Sequence, residues 1–327
     1  MTRLRNITIT IAFLASFLLL SSCVETDINQ PDTRTVPQDG QWGIYELDIS
    51  TGNVSLIYGT SDEIFNSTLE LNNEGNTLIF AMEIDGEFDT DTEICSLGID
   101  GQNLKRLTNN QFFDLYPALS PDSSKIAFLS WRETDLDIYV MDADGNNSRK
   151  LYDSGYHDAD IDWVKDRIVF TSQFSIWQMY DDGSQPEIIT DLPDRGEWGE
   201  ANLPIGDYDP RLSPDGTKIV FERLLDVSKP HGGYDIFVVN SDGSNEIRLT
   251  NTEYSQGLAS WSHSGEEIVY IVAAIDDIGK YDIYLMNADG SNNRNITPAY
   301  FPDSFICHSP IFSADDSKIL FIGQWWE

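Results

Sequence analysis

The 327-residue chain has little positive charge: 20 Lys and Arg stand against 55 Asp and Glu, a formal net charge of −35. Such a surface repels nucleic acid and anionic lipid head groups, so neither is expected as a partner. Cations, basic partners or plain solubility fit it instead. Cysteine is scarce. Three residues cannot build a disulfide framework. Cys95 and Cys307 each fall in the middle of a predicted strand, where a thiol serves as a small buried apolar group. The four histidines, His157, His231, His263 and His308, include no pair at the spacing of a local metal site. A Gly-x-Ser-x-Gly elbow is absent, which excludes the usual hydrolase nucleophile turn. From Gln41 onward no stretch keeps a capped helical period.

What is present is a unit that recurs about every 48 residues, and one such unit cannot bury its apolar faces alone. Its first half reads Ser-Pro-Asp-Gly-x-x-Ile-Val-Phe, and the closing aromatic recurs as Phe80, Phe128, Phe170, Phe221, Tyr270 and Phe321. Its second half starts at Ile44, Ile94, Ile138, Ile176, Ile236 and Ile283, passes a turn glycine, and ends in Leu-Thr or its equivalent. The Ser-Pro-Asp-Gly and Asp-Gly segments suit tight turns. Each unit therefore predicts four short antiparallel strands, which is the pattern of a propeller blade.

The N-terminus reads differently. Met1-Thr-Arg-Leu-Arg is followed by an apolar run from Ile7 to Leu20 and then Ser21-Ser22-Cys23. This layout predicts a secretory signal over residues 1–22 rather than a spanning helix. Leu20-Ser-Ser-Cys23 resembles a bacterial lipobox. The resemblance implies cleavage before Cys23 and acylation of Cys23, and loss of Arg3 and Arg5 takes the charge from −35 to −37. Residues 23–41 are polar, with Pro31, Pro37 and Gly40, and predict a flexible tether.

Residues 42–327 are expected to form an all-β, six-bladed β-propeller of four antiparallel strands per blade. The segment from Trp42 supplies strands three and four of one blade, and the segment ending at Glu327 supplies strands one and two. Pairing these N- and C-terminal half-blades would close the ring and remove its open edges. The other blades are expected near 64–108, 114–152, 158–190, 207–250 and 257–297.

Leu119-Ser-Pro-Asp122, Leu212-Ser-Pro-Asp-Gly216, Asp137-Ile-Tyr139, Asp282-Ile-Tyr284 and Asn287-Ala-Asp-Gly290 resemble the WD-repeat-like units of TolB-type propellers. The resemblance covers the chain outside the signal and tether. It implies the propeller fold and an envelope role. It departs from TolB itself in that a short tether stands where that family carries an α/β domain.

Candidate sites follow from the repeat. Asp114, Asp158 and Asp207 share one register at the start of three consecutive first strands, with Tyr116, Asp160 and Asp209 two residues on. First strands line a propeller's channel, so the three carboxylates are expected to converge at one mouth. Clustered carboxylates raise one another's pKa, and a Ca²⁺ ion would relieve that through hard oxygen ligands. The plainer expectation is that they face water in a wide channel. The recurrent Asp137, Asp235 and Asp282 read as structural, bonding to backbone. The Asp-x-Asp-Gly turns lack EF-hand spacing and read as hairpins.

The long connections, 83–92, 191–206, 223–234 and 273–281, all join second to third strands or blade to blade. They therefore share one face, while the tight turns share the other. Arg195, Trp198, Leu203, Lys229 and His231 on that face are the expected partner contacts; ordinary packing between blades is the alternative for the aromatic ones. The function expected is a non-enzymatic protein-interaction module, monomeric, held to the membrane by its N-terminal lipid and facing an envelope protein. The alternative is a metal-dependent polysaccharide lyase or glycoside hydrolase, with His157 or His308 joining the carboxylates at the channel mouth. No cofactor is required by the first reading.

Overall fold

The computed structural model describes residues 41–64, 68–84, 92–193, 195, 204–229, 232–273 and 280–325. The expected signal, Cys23 and most of the tether lie outside the described residues, as do Trp198, Leu203 and His231. Twenty-four strands and no helix occur among the described residues.

Strands β1 (Trp42–Asp48) and β2 (Val54–Thr60) come first. A four-stranded sheet follows, β3 (Glu70–Leu71), β4 (Thr77–Glu83), β5 (Thr92–Gly98) and β6 (Lys105–Arg106). The next holds β7 (Asp114–Leu119), β8 (Lys125–Ser130), β9 (Asp137–Asp142) and β10 (Arg149–Tyr152). Then come β11 (Asp158–Val164), β12 (Arg167–Ser172), β13 (Ser175–Tyr180) and β14 (Glu187–Ile188). The fourth sheet is β15 (Gly206–Leu212), β16 (Lys218–Leu224), β17 (Tyr234–Asn240) and β18 (Ile247–Arg248). Strands β19 (Ser255–Trp261), β20 (Glu267–Ala273), β21 (Tyr281–Asn287) and β22 (Arg294–Asn295) precede β23 (Phe305–Phe312) and β24 (Lys318–Trp325).

These last six join β1 and β2 in one eight-stranded sheet. Strand β1 pairs antiparallel with β24 along its whole length, from Trp42–Gln324 to Asp48–Lys318. A single parallel pair, Tyr281–Ile306, links β21 to β23. The arrangement therefore differs from six separate antiparallel sheets: that one bridge merges two units into a mixed, open-ended sheet.

The repeated residues explain the repeated geometry. Phe80, Phe128, Phe170, Phe221, Tyr270 and Phe321 are all buried, each on a second strand. Phe128 lies opposite Tyr139, Phe221 opposite Phe237 and Phe321 opposite Tyr45. In the last two pairs the rings stack, at 5.7 and 5.5 Å. The Leu-Thr ending has a specific job. Thr108, Thr190, Thr250 and Thr297 accept, through Oγ1, the backbone N–H of Ile94, Ile176, Ile236 and Ile283 at 2.7–2.9 Å. In the Ser-Pro-Asp turns the aspartate accepts from residues two on; Asp215 takes Thr217 N–H at 3.0 Å.

Third-strand acids do not bond mainly to backbone, as the recurrence had implied. Asp137 pairs with Lys150 at 2.8 Å, Asp235 with Arg248, and Glu93 with Arg106. Each joins strand three to strand four. Asp282 accepts from Asn295 at 3.1 Å in the same way. Cys95 and Cys307 are free thiols in the core, as expected.

Apolar clusters fill the spaces between sheets. Trp42, Ile44 and Leu320 pack with Leu78 and Phe80. Ile79 packs with Phe128, Leu129's neighbours on β7 pack with Phe170, and Ile176 packs with Phe221. Val220 packs with Tyr270, and Ile283 with Phe305 and Phe321.

Candidate functional site

Strands in each sheet alternate in direction. The first-to-second and third-to-fourth turns therefore lie at one end, and the second-to-third and sheet-to-sheet connections at the other. The two ends differ in what they expose. Phe112, Trp131, Tyr156, Leu225, Val227 and Tyr254 are large apolar residues exposed on connections of the second kind. Among the described residues only Leu104 is its counterpart at the tight-turn end; Leu56, Ile188 and Ile247 sit in outermost strands. Exposed apolar groups gathered at one end mark a contact surface more than scattered ones do.

Beside this rim opens a cavity of about 460 Å³. Its aromatic walls come from Tyr116, Trp131, Phe174, Tyr208 and Tyr234, and its acids are Asp158, Asp160, Asp209 and Glu222. It is bounded by the β7–β10, β11–β14 and β15–β18 sheets. A narrower cavity lined by Tyr116, Asp209, Arg211, Leu258 and Ser309 lies beneath it. At the tight-turn end, Glu70, Asp162 and Arg211 line a further cavity of about 300 Å³.

The first strands shape these walls by bulging at one register. Tyr116, Asp160, Asp209, Leu258 and Ser309 all take positive φ, between 45° and 54°, where L-residues are uncommon. Carboxylates from one sheet catch N–H groups of the next, two of them at the bulges: Asp160 accepts from Asp209 N at 3.3 Å and Glu222 from Leu258 N at 2.9 Å, while Asp162 accepts from Leu212 N at 2.7 Å beyond the bulge.

Acid outnumbers base here. Arg211 reaches Glu70 at 3.2 Å and Asp162 at 3.6 Å, and its charge also acts on Asp160 and Asp209. Burial, opposed by Arg211, pushes Glu70 up to about 7. Burial likewise pushes Glu222 up to about 7, and Asp160 adds to it. Asp209 rises well above the carboxylate range through burial, Asp160 and Glu222.

The three expected cation ligands are not brought together. Each is fully buried and held by its own sheet. Asp114 lies opposite Ser130, which donates at 2.5 Å, and it also accepts from Asn110 at 2.7 Å. Asp158 lies opposite Ser172 and accepts from Ser154 at 2.6 Å. Asp207 lies opposite Arg223, which binds it at 2.5 and 3.0 Å. The residues two further on, Tyr116, Asp160 and Asp209, line the cavity together. Among the described residues, one acidic group has ligand atoms within 4.8 Å of one another, Glu133, Asp137 and Asp153. The ammonium of Lys150 already sits among those three, at 3.4, 2.8 and 3.1 Å.

Neither histidine joins a carboxylate cluster. Nδ1 of His157 accepts from Leu136 N at 3.0 Å, which puts the ring proton on Nε2, 3.7 Å from Asp135. His308 lies between Trp42 and Tyr281, and burial pushes its pKa down to about 4, so it is neutral. His263 sits at the tight-turn end on Asp316, as its place in the repeat required. Of the expected partner contacts, Arg195 bonds Ser175 at 3.2 Å and Asp191 at 3.4 Å, at the start of β13. Lys229 lies in the β16–β17 connection, at the same end. Sequence reasoning missed the Trp131 rim, Tyr234 and Glu222. Glu222 did carry a signal: the other second strands place Ala81, Leu129, Thr171, Ile271 and Ile322 there.

No family model matches the chain. An uncharacterized protein of Agrobacterium fabrum is 30% identical over 178 residues, which are 51% of this chain and 57% of that protein. A TolB homolog of Chlorobium luteolum is 28% identical over 153 residues, 45% of this chain and 31% of that protein. The chain thus matches less than two thirds of the length of either relative. A putative TolB from Agrobacterium tumefaciens superposes with a TM-score of 0.67 at 17% identity, covering 88% of this chain and 99% of that one. The chain has a TolB-like propeller fold. An oligogalacturonate lyase from Vibrio parahaemolyticus shares it at a TM-score of 0.50 and 14% identity, over 88% of this chain and 98% of that one. The fold thus occurs in proteins with different functions, and function must be argued from the site.

Proposed function

We propose that this TolB-like propeller is a lipid-anchored bacterial envelope protein that acts as a non-enzymatic interaction module, binding an envelope protein at its long-connection end. The observation that carries the reading is the rim of exposed Phe112, Trp131, Tyr156, Leu225, Val227 and Tyr254 beside an acidic, aromatic cavity. Arg195 and Lys229 stand at the same end, and Trp198, Leu203 and His231 belong to its connections. Aromatic anchors beside a pocket are the usual makings of a binding hot spot. The ring is read as six blades. Its support is the order of the apolar clusters, which link each unit to the next and return from Phe80 to Ile44, together with the β1–β24 pairing.

Anchoring is tested with Cys23→Ser, which is expected to leave the membrane fraction; unchanged fractionation and mass would remove the lipid from the account. The binding role is tested by purifying the acylated chain from membranes with its bound proteins. A stoichiometric envelope protein, held without turnover, is the expected result. The second reading, a metal-dependent polysaccharide lyase or glycoside hydrolase at the same mouth, draws on the fold shared with the Vibrio lyase. Turnover of oligogalacturonate on adding a divalent metal would replace the first reading with the second.

A further inference from the structure

We propose that the 460 Å³ cavity is a site for a primary ammonium group on an alkyl stem, such as a lysine side chain. The inference rests on the interaction reading above and supplies its ligand chemistry.

Asp158 is the observation that carries it. Asp158 borders the cavity and is fully buried. Oδ1 accepts from Ser154 at 2.6 Å. The neighbouring Ser172 hydroxyl gives its own proton to Ser154 at 3.2 Å. Oδ2 is left buried with no hydrogen bond. A buried acceptor without a donor destabilises the fold, the more so when it is charged. An incoming donor that also carries positive charge removes that cost.

The rest of the lining selects the kind of donor. Among the described residues no lysine or arginine lines the cavity, while Asp160, Asp209 and Glu222 add acid. His157 contributes only a ring already engaged by Leu136 and Asp135. The rings of Tyr116, Tyr208, Tyr234 and Trp131 offer π faces that attract cations and apolar surface that covers an aliphatic stem. A guanidinium fits less well: its planar fork seeks two oxygens on one carboxylate, and Asp158 has one free. An ammonium is a compact donor that can spread three hydrogen bonds over separate acceptors. A divalent metal fits worse, because it needs several oxygens in one small sphere, and these carboxylates form no such group.

The test is calorimetric titration of the full chain with acetyl-Gly-Lys-Gly-amide and with its norleucine counterpart. The lysine peptide is expected to saturate, with the norleucine peptide weaker by about tenfold or more, the scale of one charge-assisted hydrogen bond. Asp158→Asn should lose that preference. Trp131→Ala, at the exposed rim, should weaken binding with the melting temperature unchanged, which keeps the test valid if the Asn variant folds poorly. A parallel titration with n-butylammonium separates the sources. Binding as tight as the peptide's identifies a free amine, and weaker binding identifies a lysine borne by a protein; both support an ammonium site. Equal affinity for the lysine and norleucine peptides, or no saturation of either at millimolar concentration, overturns the proposal. Capture of an envelope protein that persists in that case would leave the interaction reading standing and remove only its ligand chemistry.

Discussion

Replacing Arg223 with methionine should be among the most damaging single changes that leave the apolar core intact. Its guanidinium is 9% exposed and holds Asp207, which is 0% exposed, at 2.5 and 3.0 Å. It also holds both oxygens of Glu246, at 2.7 and 2.8 Å, and lies 4.5 Å from the Phe237 ring centre. Methionine keeps the packing of the stem but strands the Asp207 charge in the protein. Breaking one side of such a pair costs about 3–5 kcal/mol. That is a large part of the roughly 5–15 kcal/mol that separates folded from unfolded domains. Replacing both partners, Arg223→Met with Asp207→Leu, should cost much less than the two single changes added together, because no buried charge remains. Urea unfolding followed by fluorescence would report all three variants. A loss below about 1 kcal/mol for Arg223→Met, or additive single changes, would refute the reasoning that Asp207 is a structural partner of Arg223.

Three further outcomes are expected. Gly145 has φ +92° in a third-to-fourth turn, and an added Cβ would lie 2.5 Å from the Leu107 carbonyl oxygen of the preceding sheet; Gly145→Ala should lower the melting temperature, and an unchanged melt would mean that the sheets have slack there. Glu70 and Glu222 are held near 7 in the fold and titrate lower when unfolded, so they stabilise most below their unfolded pKa and lose that contribution as pH rises through 7. Each adds at most about 1.4 kcal/mol of slope per pH unit, and Glu222→Gln should flatten stability between pH 5 and 8; an unaltered slope would count against the raised value. Deleting residues 318–327 removes β24, the partner of both β1 and β23, along with buried Phe321; losing such an aromatic alone costs about 3–5 kcal/mol, and a truncated chain that stays monomeric with its normal melting temperature would contradict ring closure.

Much of the fold was legible because the repeat encodes it locally. The aromatic of each second strand, the turn glycines and the Leu-Thr ending each recur, and each has one geometric task. The merged eight-stranded sheet was not legible, since it depends on a single bridge at Tyr281–Ile306 that leaves no mark on residue type. The acidic register was half legible. Spacing located Asp114, Asp158 and Asp207 correctly at the starts of first strands. Their fate was decided within each sheet: Ser130 and Arg223 bind Asp114 and Asp207 from the strand opposite, and Ser154 binds one oxygen of Asp158. The residues two positions on line the cavity at bulges, and a bulge depends on backbone conformation at Tyr116, Asp160 and Asp209. Attention to long connections favoured Trp198 and His231 over the short segment that holds Trp131. Exposure of that ring follows from packing and could not be counted from spacing.

The central claim is that one end of the TolB-like propeller receives the partner. Its most direct test places a photo-crosslinking phenylalanine analogue, singly, at Phe112, Val227 or Tyr254, and at Asn146 or Asp289 on exposed tight turns. Irradiation of cells, followed by recovery of the chain, reports which positions touch another protein. The account predicts a common adduct from the first three positions and none from the last two. Adducts from Asn146 and Asp289 alone would contradict it and move the binding surface to the opposite end.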